Sequence, residues 1–442
     1  MKEHKKICEK IFSLAGRCQA EVLVSSSESA LTRFADNVIS QNVSNTATDI
    51  SVRLLHGGRV TRFSLNQPSD KALKAAFAAA HDALAAQKPD RALEDLPKGA
   101  PVKESSKLFF PGTAALSPLY RAGKAGALIR KCKKAGAVAY GTLENGFRRT
   151  TLANNRGVFA SHIESYAVYS VTVRDGDGFG WAERAALDAR TIDFDGADRT
   201  ALEKARLSKH PKGVPPGRYT VILEPAAATS LLSYLGVYGF GGQFYNEGQS
   251  FVTGKLGKKV VSEKLTLLDN ALDGPAAGMP FDYEGRPRRK VALITKGRAE
   301  AVVHDRHSAA KAGAASTGHA LPLPNTFGPV PLNLSLEKGD TTLAEMIKST
   351  KKGILVTQFH YTNLLRPLTV EMTGMTRNGT FLVEDGRVTA GIKNLRFTES
   401  IVSALNRVAA VGSEPELYLE WGRFCAPALK LEDFNFSSAT EF

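Results

Sequence analysis

The sequence of 442 residues is poor in cysteine, and its four cysteines are widely separated (Cys8, Cys18, Cys132 and Cys425). None forms a CxxC pair, so the sequence predicts reduced thiols rather than a disulfide framework. No stretch approaches the ~20 apolar residues that a membrane-spanning helix requires. The basic N-terminal segment lacks a continuous apolar core and a small-residue cleavage site, which is typical of an amphipathic helix rather than a signal peptide. These absences predict a cytoplasmic protein.

Acidic residues are also in the minority. The chain has 58 Lys and Arg against 44 Asp and Glu, which gives a net charge of +14. This balance allows attraction to nucleic acid, to acidic membranes or to an acidic partner, and does not choose among them. Two basic clusters could contact phosphates, but they lack interleaved aromatic residues and match no nucleic-acid fold signature, so a solvated face is the expectation. The clusters are Lys255, Lys258 and Lys259, and Arg286, Arg288, Arg289 and Lys290.

Several catalytic signatures are missing. There is no Walker loop, no dinucleotide-binding glycine pattern and no GxSxG nucleophile turn. His304 and His307 could share a helix face and bind zinc, but only His319 lies nearby as a further ligand, so hydrogen-bonded or solvated histidines are expected. Four carboxylates could supply an acid–base pair, but surface or turn positions are expected for them. These are Glu263, Asp269, Asp282 and Glu284.

The pattern of apolar residues alternates between helical spacing and strand spacing. Period-two alternation over 20–65 and 136–186 predicts strands, whereas helical spacing predicts helices near 3–16, 70–88 and 118–135. Ser69 is the predicted cap of the second helix. Turns are predicted at three dipeptides, and residues 89–116 are interpreted as a surface connection. The dipeptides are Gly57-Gly58, Asn145-Gly146 and Asn378-Gly379.

Further helices are predicted near 193–208, 225–240, 341–351 and 398–408, among strands that dominate the second half. The best domain boundary is the segment 210–217, HPKGVPPG, because three prolines and two glycines interrupt periodic structure there. The strand-rich halves lack the βαβ rhythm of a doubly wound sheet.

Several segments, in order along nearly the whole chain, resemble the TldD/PmbA family. The first, at 31–66, begins LTRFADNVISQNVSN, and the second, at 248–270, reads GQSFVTGKLGKKVVSEKLTLLDN. The others are PFDYEGRPRRKVALITKGR, DRHSAAKAGAASTGHA and TGMTRNGTFLVEDGRV. The resemblance implies an α+β fold: an N-terminal mixed α/β domain with an antiparallel sheet at 1–210, and a β-rich C-terminal domain with a few helices at 217–442.

The family has a catalytic TldD type, a metallopeptidase with an HExxxH helix, and a PmbA/TldE type without that motif. Counted back from Ser250, the motif positions fall here on Ser233, Tyr234 and Tyr238, within SYLGVY. Serine and tyrosine are poor zinc ligands, and neither tyrosine can replace a carboxylate base. The family's third ligand is a C-terminal cysteine. Cys425 does not fall in the expected glycine-rich loop and is interpreted as a buried apolar residue.

The resemblance therefore implies a PmbA/TldE-like subunit that binds no metal and is catalytically inactive alone. Zinc is expected only in a TldD-type partner, and the complex would degrade unfolded or short peptides. The partner would be a TldD-type chain or a second copy. Tyr234 and Tyr238 are expected to fill the core, with lining of a peptide channel as the other interpretation.

Two alternatives stay open. The chain could have a metallopeptidase site of its own, formed by His304, His307, His319 and His360 with Glu263 or Glu371 as base. Alternatively, it could be a basic protein associated with DNA or gyrase, as an older label of the family suggests.

Overall fold

The computed structural model describes residues 1–99 and 101–440 and has the α+β class that the sequence predicts. The helices are α1 (Lys2–Leu14), α2 (Asp70–Ala86), α3 (Pro111–Ala114), α4 (Pro118–Ala135), α5 (Phe194–Leu207), α6 (Pro225–Phe240), α7 (Gly242–Asn246), α8 (Arg306–Ala312), α9 (Leu343–Lys348) and α10 (Ile401–Asn406). In the part of the chain that the structure describes, no helix combines the length and apolarity needed to cross a bilayer.

The strands of the first half are β1 (Gln19–Ala35), β2 (Val38–His56), β3 (Arg59–Leu65), β4 (Pro101–Leu108), β5 (Val138–Asn154), β6 (Phe159–Asp175) and β7 (Gly178–Ala186). Those of the second half are β8 (Gly217–Leu223), β9 (Leu267–Asp269), β10 (Val291–Thr295), β11 (Arg298–Ala299), β12 (Asn333–Leu336), β13 (Lys352–Arg366), β14 (Glu371–Glu384), β15 (Arg387–Gly391), β16 (Leu395–Ser400), β17 (Val408–Val411), β18 (Glu416–Leu419), β19 (Arg423–Ala426) and β20 (Leu429–Ala439).

The N-terminal sheet has the order β3-β2-β1-β5-β6-β4, and β7 pairs with β6 beside β4. Its pairings are antiparallel except for that of β4 with β6. Gly57 and Gly58, with φ of +56° and +72°, form the predicted turn between β2 and β3. The hydroxyl of Ser69 accepts a hydrogen bond from the Ala72 backbone N–H, which confirms the predicted cap. Local signals therefore placed these elements correctly.

The predicted turn at Asn145-Gly146 is wrong, because β5 runs through both residues. A Cβ at Gly146 would lie 2.3 Å from the carbonyl oxygen of Glu28, so glycine is needed where β1 approaches closely. Asn145 is buried and donates to the carbonyl oxygen of Thr113 at 2.9 Å. The dipeptide that usually makes a hairpin turn here serves packing instead.

Two other local predictions also fail. Asn378 and Gly379 have positive φ but lie within β14, where two residues stand opposite Thr357 of β13 and form a bulge. The segment 89–116 is not only a connection, because it contains β4 and α3. Residues of β4 show no clear period, since they form a short outer strand with irregular register against β6.

The C-terminal part contains two sheets. One has the order β11-β10-β9-β12-β19-β18, in which β12 and β19 are parallel. In the other, the pairings β13–β8, β8–β20, β20–β16, β16–β14 and β14–β13 close a ring of five strands. The N-terminal sheet uses residues up to 186 and these sheets begin at 217. The domain division at 1–210 and 217–442 stays a prediction.

Helix α6 lies within the C-terminal core and packs against β13 and β19. It begins at Pro225, whose fixed φ and missing N–H suit the first turn of a helix. Buried residues occur on all its sides, as expected for a helix inside a core. A Cβ at Gly239 would lie 2.3 Å from the Phe251 ring, so glycine is needed for close packing at this position.

Glu183 of β7 lines a cavity of about 380 Å³ between the N-terminal sheet and the C-terminal part. Burial raises the pKa of its carboxyl group to about 7, and the charges of Glu420 and Glu416 add to this effect. The folded protein therefore binds this proton more tightly than the unfolded chain does, so stability from this group is present below about pH 4.5 and is lost as the pH rises towards 7.

We expect Glu183→Gln to raise the melting temperature at pH 8 and to leave it unchanged near pH 4.5, because the substitution removes a buried charge only where that charge exists. A gain of a few degrees is expected, since about 1 kcal/mol corresponds to roughly 2–4 °C for a domain of this size. Glu203→Gln is the matched control, because Glu203 of α5 lines the same cavity but is exposed. An equal shift at both pH values would contradict the prediction.

Candidate functional site

The three residues predicted at the family's motif positions lie on α6, and their hydroxyl groups have different surroundings. The Ser233 side chain is buried, and its hydroxyl donates to the Ser230 carbonyl oxygen at 2.9 Å. The Tyr234 hydroxyl donates to the carbonyl oxygen of Thr362 at 2.6 Å. The Tyr238 ring stacks on Tyr234 with centroids 6.1 Å apart, and burial raises its pKa. The three residues thus form ordinary packing and hydrogen bonds.

Tyr234 and Tyr238 line an apolar cavity of about 530 Å³, which we call the aromatic cavity. The Tyr238 ring also contacts the rings of Phe244 and Phe327 at centroid distances of 5.7 and 6.4 Å. The other lining residues are Val237, Tyr283, Leu321, Pro322, Phe327, Val330, Leu332 and Trp421. Each tyrosine therefore packs on its neighbours and also faces a cavity, and the lining of a peptide channel stays a prediction.

A second, polar cavity of about 360 Å³ adjoins the aromatic cavity, since Tyr283, Leu332 and Trp421 line both. It lies between β5 and β6 of the N-terminal sheet and the loop before β19. Three arginines line it, and we call it the arginine groove. These are Arg148, Arg288 and Arg423, which share the wall with Glu144, Glu164 and Glu420.

Two of the glutamates in the arginine groove are already engaged. Glu164 accepts from Arg423 Nη2 at 2.7 Å and contacts His162 Nε2 at 2.8 Å. Burial alone would raise the pKa of Glu164, but Arg423 and His162 outweigh it and lower that pKa to about 2. Glu144 accepts from the Tyr166 hydroxyl at 2.7 Å. The third, Glu420, is exposed, and partial desolvation raises the pKa of its carboxyl group.

Arg288 stands at the edge of a buried polar network. Its Nη1 donates to the Asn333 side-chain oxygen at 2.9 Å and lies 4.0 Å from Asp269 Oδ1. Asp269 is held more closely by others: His319 Nε2 is 2.9 Å from Oδ1, and the Asn333 backbone N–H donates to Oδ2 at 2.8 Å. Burial works against the Asp269 charge, but the charge and hydrogen bond of His319 lower the pKa of Asp269.

The predicted surface position is wrong for Asp269 and for Arg288. Asp269 and Asp282 are fully buried, and so is Arg288, while Arg286, Arg289 and Lys290 are exposed. Asp282 does make the predicted turn, because its carboxylate accepts from the backbone N–H groups of Glu284 and Arg286 at 2.9 Å each. Burial raises the pKa of Glu284 to about 7. The cluster at 255–259 and Glu263 are exposed, as predicted.

The histidines of the alternative metal site do not converge. His304 and His319 approach each other through Thr317, whose hydroxyl lies 2.7 Å from the His304 backbone N–H and 2.9 Å from His319 Nδ1. His307 is exposed, and its Nδ1 lies 3.6 Å from Glu94 Oε1. His360 lines a cavity of about 450 Å³ that none of the other three histidines lines. The proposed bases are also engaged elsewhere: Glu263 pairs with Lys259 and Glu371 with Arg366.

The residues at the predicted zinc position do not fit the metal. The α6 face offers two phenols and a buried serine hydroxyl, and none of the imidazole, carboxylate or thiolate donors that zinc takes. Cys425 is buried on β19, as predicted, and burial raises its pKa to about 11, which disfavours the thiolate. Within residues 1–99 and 101–440, no three His, Cys, Asp or Glu side chains are grouped to hold an ion.

Residues 216–438, just over half of the chain, match the profile of the PmbA/TldA metallopeptidase C-terminal domain. The chain belongs to the TldD/PmbA family. Residues 20–84 match domain 1 of the same family. The family that the sequence motifs indicate is therefore confirmed.

Individual relatives are distant. A metalloprotease TldD homolog from Buchnera aphidicola is 26% identical over 291 residues, which cover 62% of this chain. The match spans 60% of the length of that curated relative.

Among solved structures, TldE from Thermococcus kodakarensis superposes with a TM-score of 0.84 at 21% identity, covering 98% of this chain and 99% of that one. A protein from Thermotoga maritima described as a candidate modulator of a DNA gyrase gives 0.83 at 17% identity, with coverage of 98% and 99%. At 21% and 17% identity, these similarities show that the fold is shared.

No sequence motif predicts the residues of the arginine groove as a group. Arg148, Glu164 and Arg423 come from three separate strands, so no local spacing links them. One signal was available: Asp269 ends the apolar segment LTLLD, and a carboxylate on a buried strand needs a partner.

Proposed function

We propose that this chain is the PmbA/TldE-like, non-metal-binding subunit of a TldD-type metallopeptidase complex that degrades unfolded or short peptides. The observation that carries the proposal is the donor set on α6, where Ser233, Tyr234 and Tyr238 replace the ligand and base positions. Zinc hydrolysis needs lone-pair ligands and a base beside the bound water, and these side chains supply neither. The likeness in fold to TldE supports the same assignment.

In this proposal the chain binds the peptide and takes no part in its hydrolysis. The aromatic cavity would accept apolar side chains of a peptide, and an outer strand such as β3 would pair with its extended backbone. The TldD-type partner would hold zinc and perform the hydrolysis in the cytoplasm. A pairing of two copies of this chain would lack the metal site altogether.

The test is a peptidase assay of the purified chain with unfolded casein and zinc, alone and mixed with a TldD-type subunit. We expect no turnover and far less than one zinc per chain for the chain alone, and chelator-sensitive hydrolysis only in the mixture. The matched control is the TldD-type subunit with its HExxxH glutamate replaced by glutamine, which should leave the mixture inactive. Robust, chelator-sensitive turnover by the lone chain would overturn the proposal.

The alternative of a basic DNA-associated protein gains no specific support from the structure. One member of its second cluster, Arg288, is buried, and in the first cluster Lys259 pairs with Glu263. Neither cluster therefore forms a continuous row of unengaged cations, which phosphate binding along a strand would require.

A further inference from the structure

We propose that the arginine groove and the aromatic cavity together bind the C-terminal residue of a peptide, with the free carboxylate in the groove and a large apolar side chain in the cavity. The inference deepens the proposed function, on which it rests for the peptide being a substrate, by naming the part of the peptide that this chain recognises. It stands on the hydrogen bonding of Arg288, on the charges of the groove and on the connection between the two cavities.

Arg288 has fewer acceptors than N–H donors. Its side chain is 3% exposed, and a guanidinium has five N–H donors, all of which need partners when water is excluded. Nη1 donates to Asn333, and Nε is buried without any hydrogen-bond partner in the structure. The nearest carboxylate, Asp269, is closer to His319 than to Arg288. A buried cation on a cavity wall with so few acceptors favours an anionic ligand.

The other charges of the groove do not occupy Arg148 and Arg288. Arg423 and Glu164 neutralise each other, and Glu420 is exposed, so that solvent screens its charge. Glu144 remains, but its carboxylate is engaged by Tyr166. Arg148 is exposed, and in the described part of the chain no carboxylate lies within ion-pair distance of it. Arg148 and Arg288 are thus the two cations available to a carboxylate, which arginine binds with paired N–H donors.

The aromatic cavity, which adjoins the arginine groove, indicates what kind of molecule carries the carboxylate. Tyr283 and Trp421 line both cavities, so a ligand that reaches the arginines passes directly beside the aromatic walls. In a C-terminal amino acid, the carboxylate and the side chain branch from the same Cα. A terminal residue with a large apolar side chain can therefore satisfy both cavities at once, whereas an internal residue has no carboxylate on its backbone.

Binding is measured by isothermal titration calorimetry on the unaltered chain at neutral pH. The probes are a tetrapeptide of three alanines ending in phenylalanine with a free carboxylate, the same peptide as its C-terminal amide, and a free-acid peptide ending in glycine. We expect the free acid ending in phenylalanine to bind about tenfold or more tightly than either of the others, because each lacks one of the two contacts. Inorganic phosphate is the probe for simple anion binding.

Equal affinity for acid and amide, equal affinity for phenylalanine and glycine, no binding at all, or displacement of the peptide by phosphate at matched concentration would each overturn the inference. Arg148→Gln should weaken the binding of the free-acid peptide several-fold and leave the binding of the amide unchanged. Arg130→Gln, on the exposed face of α4, is the control and should change neither. Arg288 is left unaltered, because its loss would disturb Asp269. Since no catalytic chain is present, failure here is distinct from failure of the proposed pairing.

Discussion

Asp269→Ala is expected to lower the free energy of unfolding by about 3–5 kcal/mol, the range found when one partner of a buried ion pair is removed. The carboxylate is fully buried, and it holds His319 at 2.9 Å and the Asn333 backbone N–H at 2.8 Å. Without it, the ring of His319 and the N–H of Asn333 would stay buried without their acceptor, and Arg288 would lose its nearest carboxylate. The midpoint of urea unfolding measures the change.

The pH dependence gives this prediction a second readout. The pKa of Asp269 is lowered in the folded protein, so its contribution to stability is present above its unfolded pKa of about 3.9 and is lost as the pH falls through the lower folded value. The difference in the free energy of unfolding between Asp269→Ala and the unaltered chain should therefore be constant at neutral pH and shrink only in acid. Glu263→Ala is the matched control, because Glu263 is exposed, and it should leave the midpoint unchanged. A neutral-pH midpoint that is the same in Asp269→Ala as in the unaltered chain would contradict the prediction.

Arg121→Met is expected to destabilise the N-terminal sheet by a similar amount, about 3–5 kcal/mol, because it removes several buried hydrogen bonds at once. The guanidinium of Arg121 is 1% exposed and joins α4 to β1, β2 and β5. It donates to Thr32 Oγ1, the Leu116 carbonyl oxygen, Asn145 Oδ1 and Asn42 Oδ1 at 2.7–3.1 Å. Methionine fills much of the space but makes none of these four hydrogen bonds.

Two further variants separate hydrogen bonding from charge in this prediction. Arg121→Lys keeps the charge, but its single nitrogen cannot reach four acceptors in the geometry of a fork, so only part of the stability should return. Arg130→Met on the exposed face of the same helix is the control and should have little effect. Thermal unfolding followed by circular dichroism measures all three. Full stability of Arg121→Met would show that packing rather than hydrogen bonding holds α4 to the sheet.

The helices show how far local sequence rules extend. The spacing of apolar residues, the cap at Ser69 and Pro225 in the first turn placed α2 and α6 within a few residues of their observed limits. These signals act between residues that are neighbours in the chain, so they need no knowledge of the fold. The family motifs placed Ser233, Tyr234 and Tyr238 on one helix for the same reason.

Turn signals were less reliable, and the cause is tertiary. Asn145-Gly146 and Asn378-Gly379 have the composition of hairpin turns, yet both lie inside strands. At Gly146 the approach of Glu28, more than 100 residues away in the chain, decides the role of the glycine. At Asn378 and Gly379 the pairing with β13 converts a turn signal into a bulge.

The amino-acid sequence by itself determined the family, the α+β class and the absence of zinc donors from α6, because each depends on residue types at fixed short spacings. Only the tertiary structure brought the residues of the arginine groove together. The contact of Glu164 with Arg423 forms only after the sheets have packed together. The same holds for the contact of Asp269 with His319, which lies 50 positions further along the chain. Burial then sets the charges of these groups, since the cost of removing an ion from water depends on what surrounds it and not on its neighbours in the sequence.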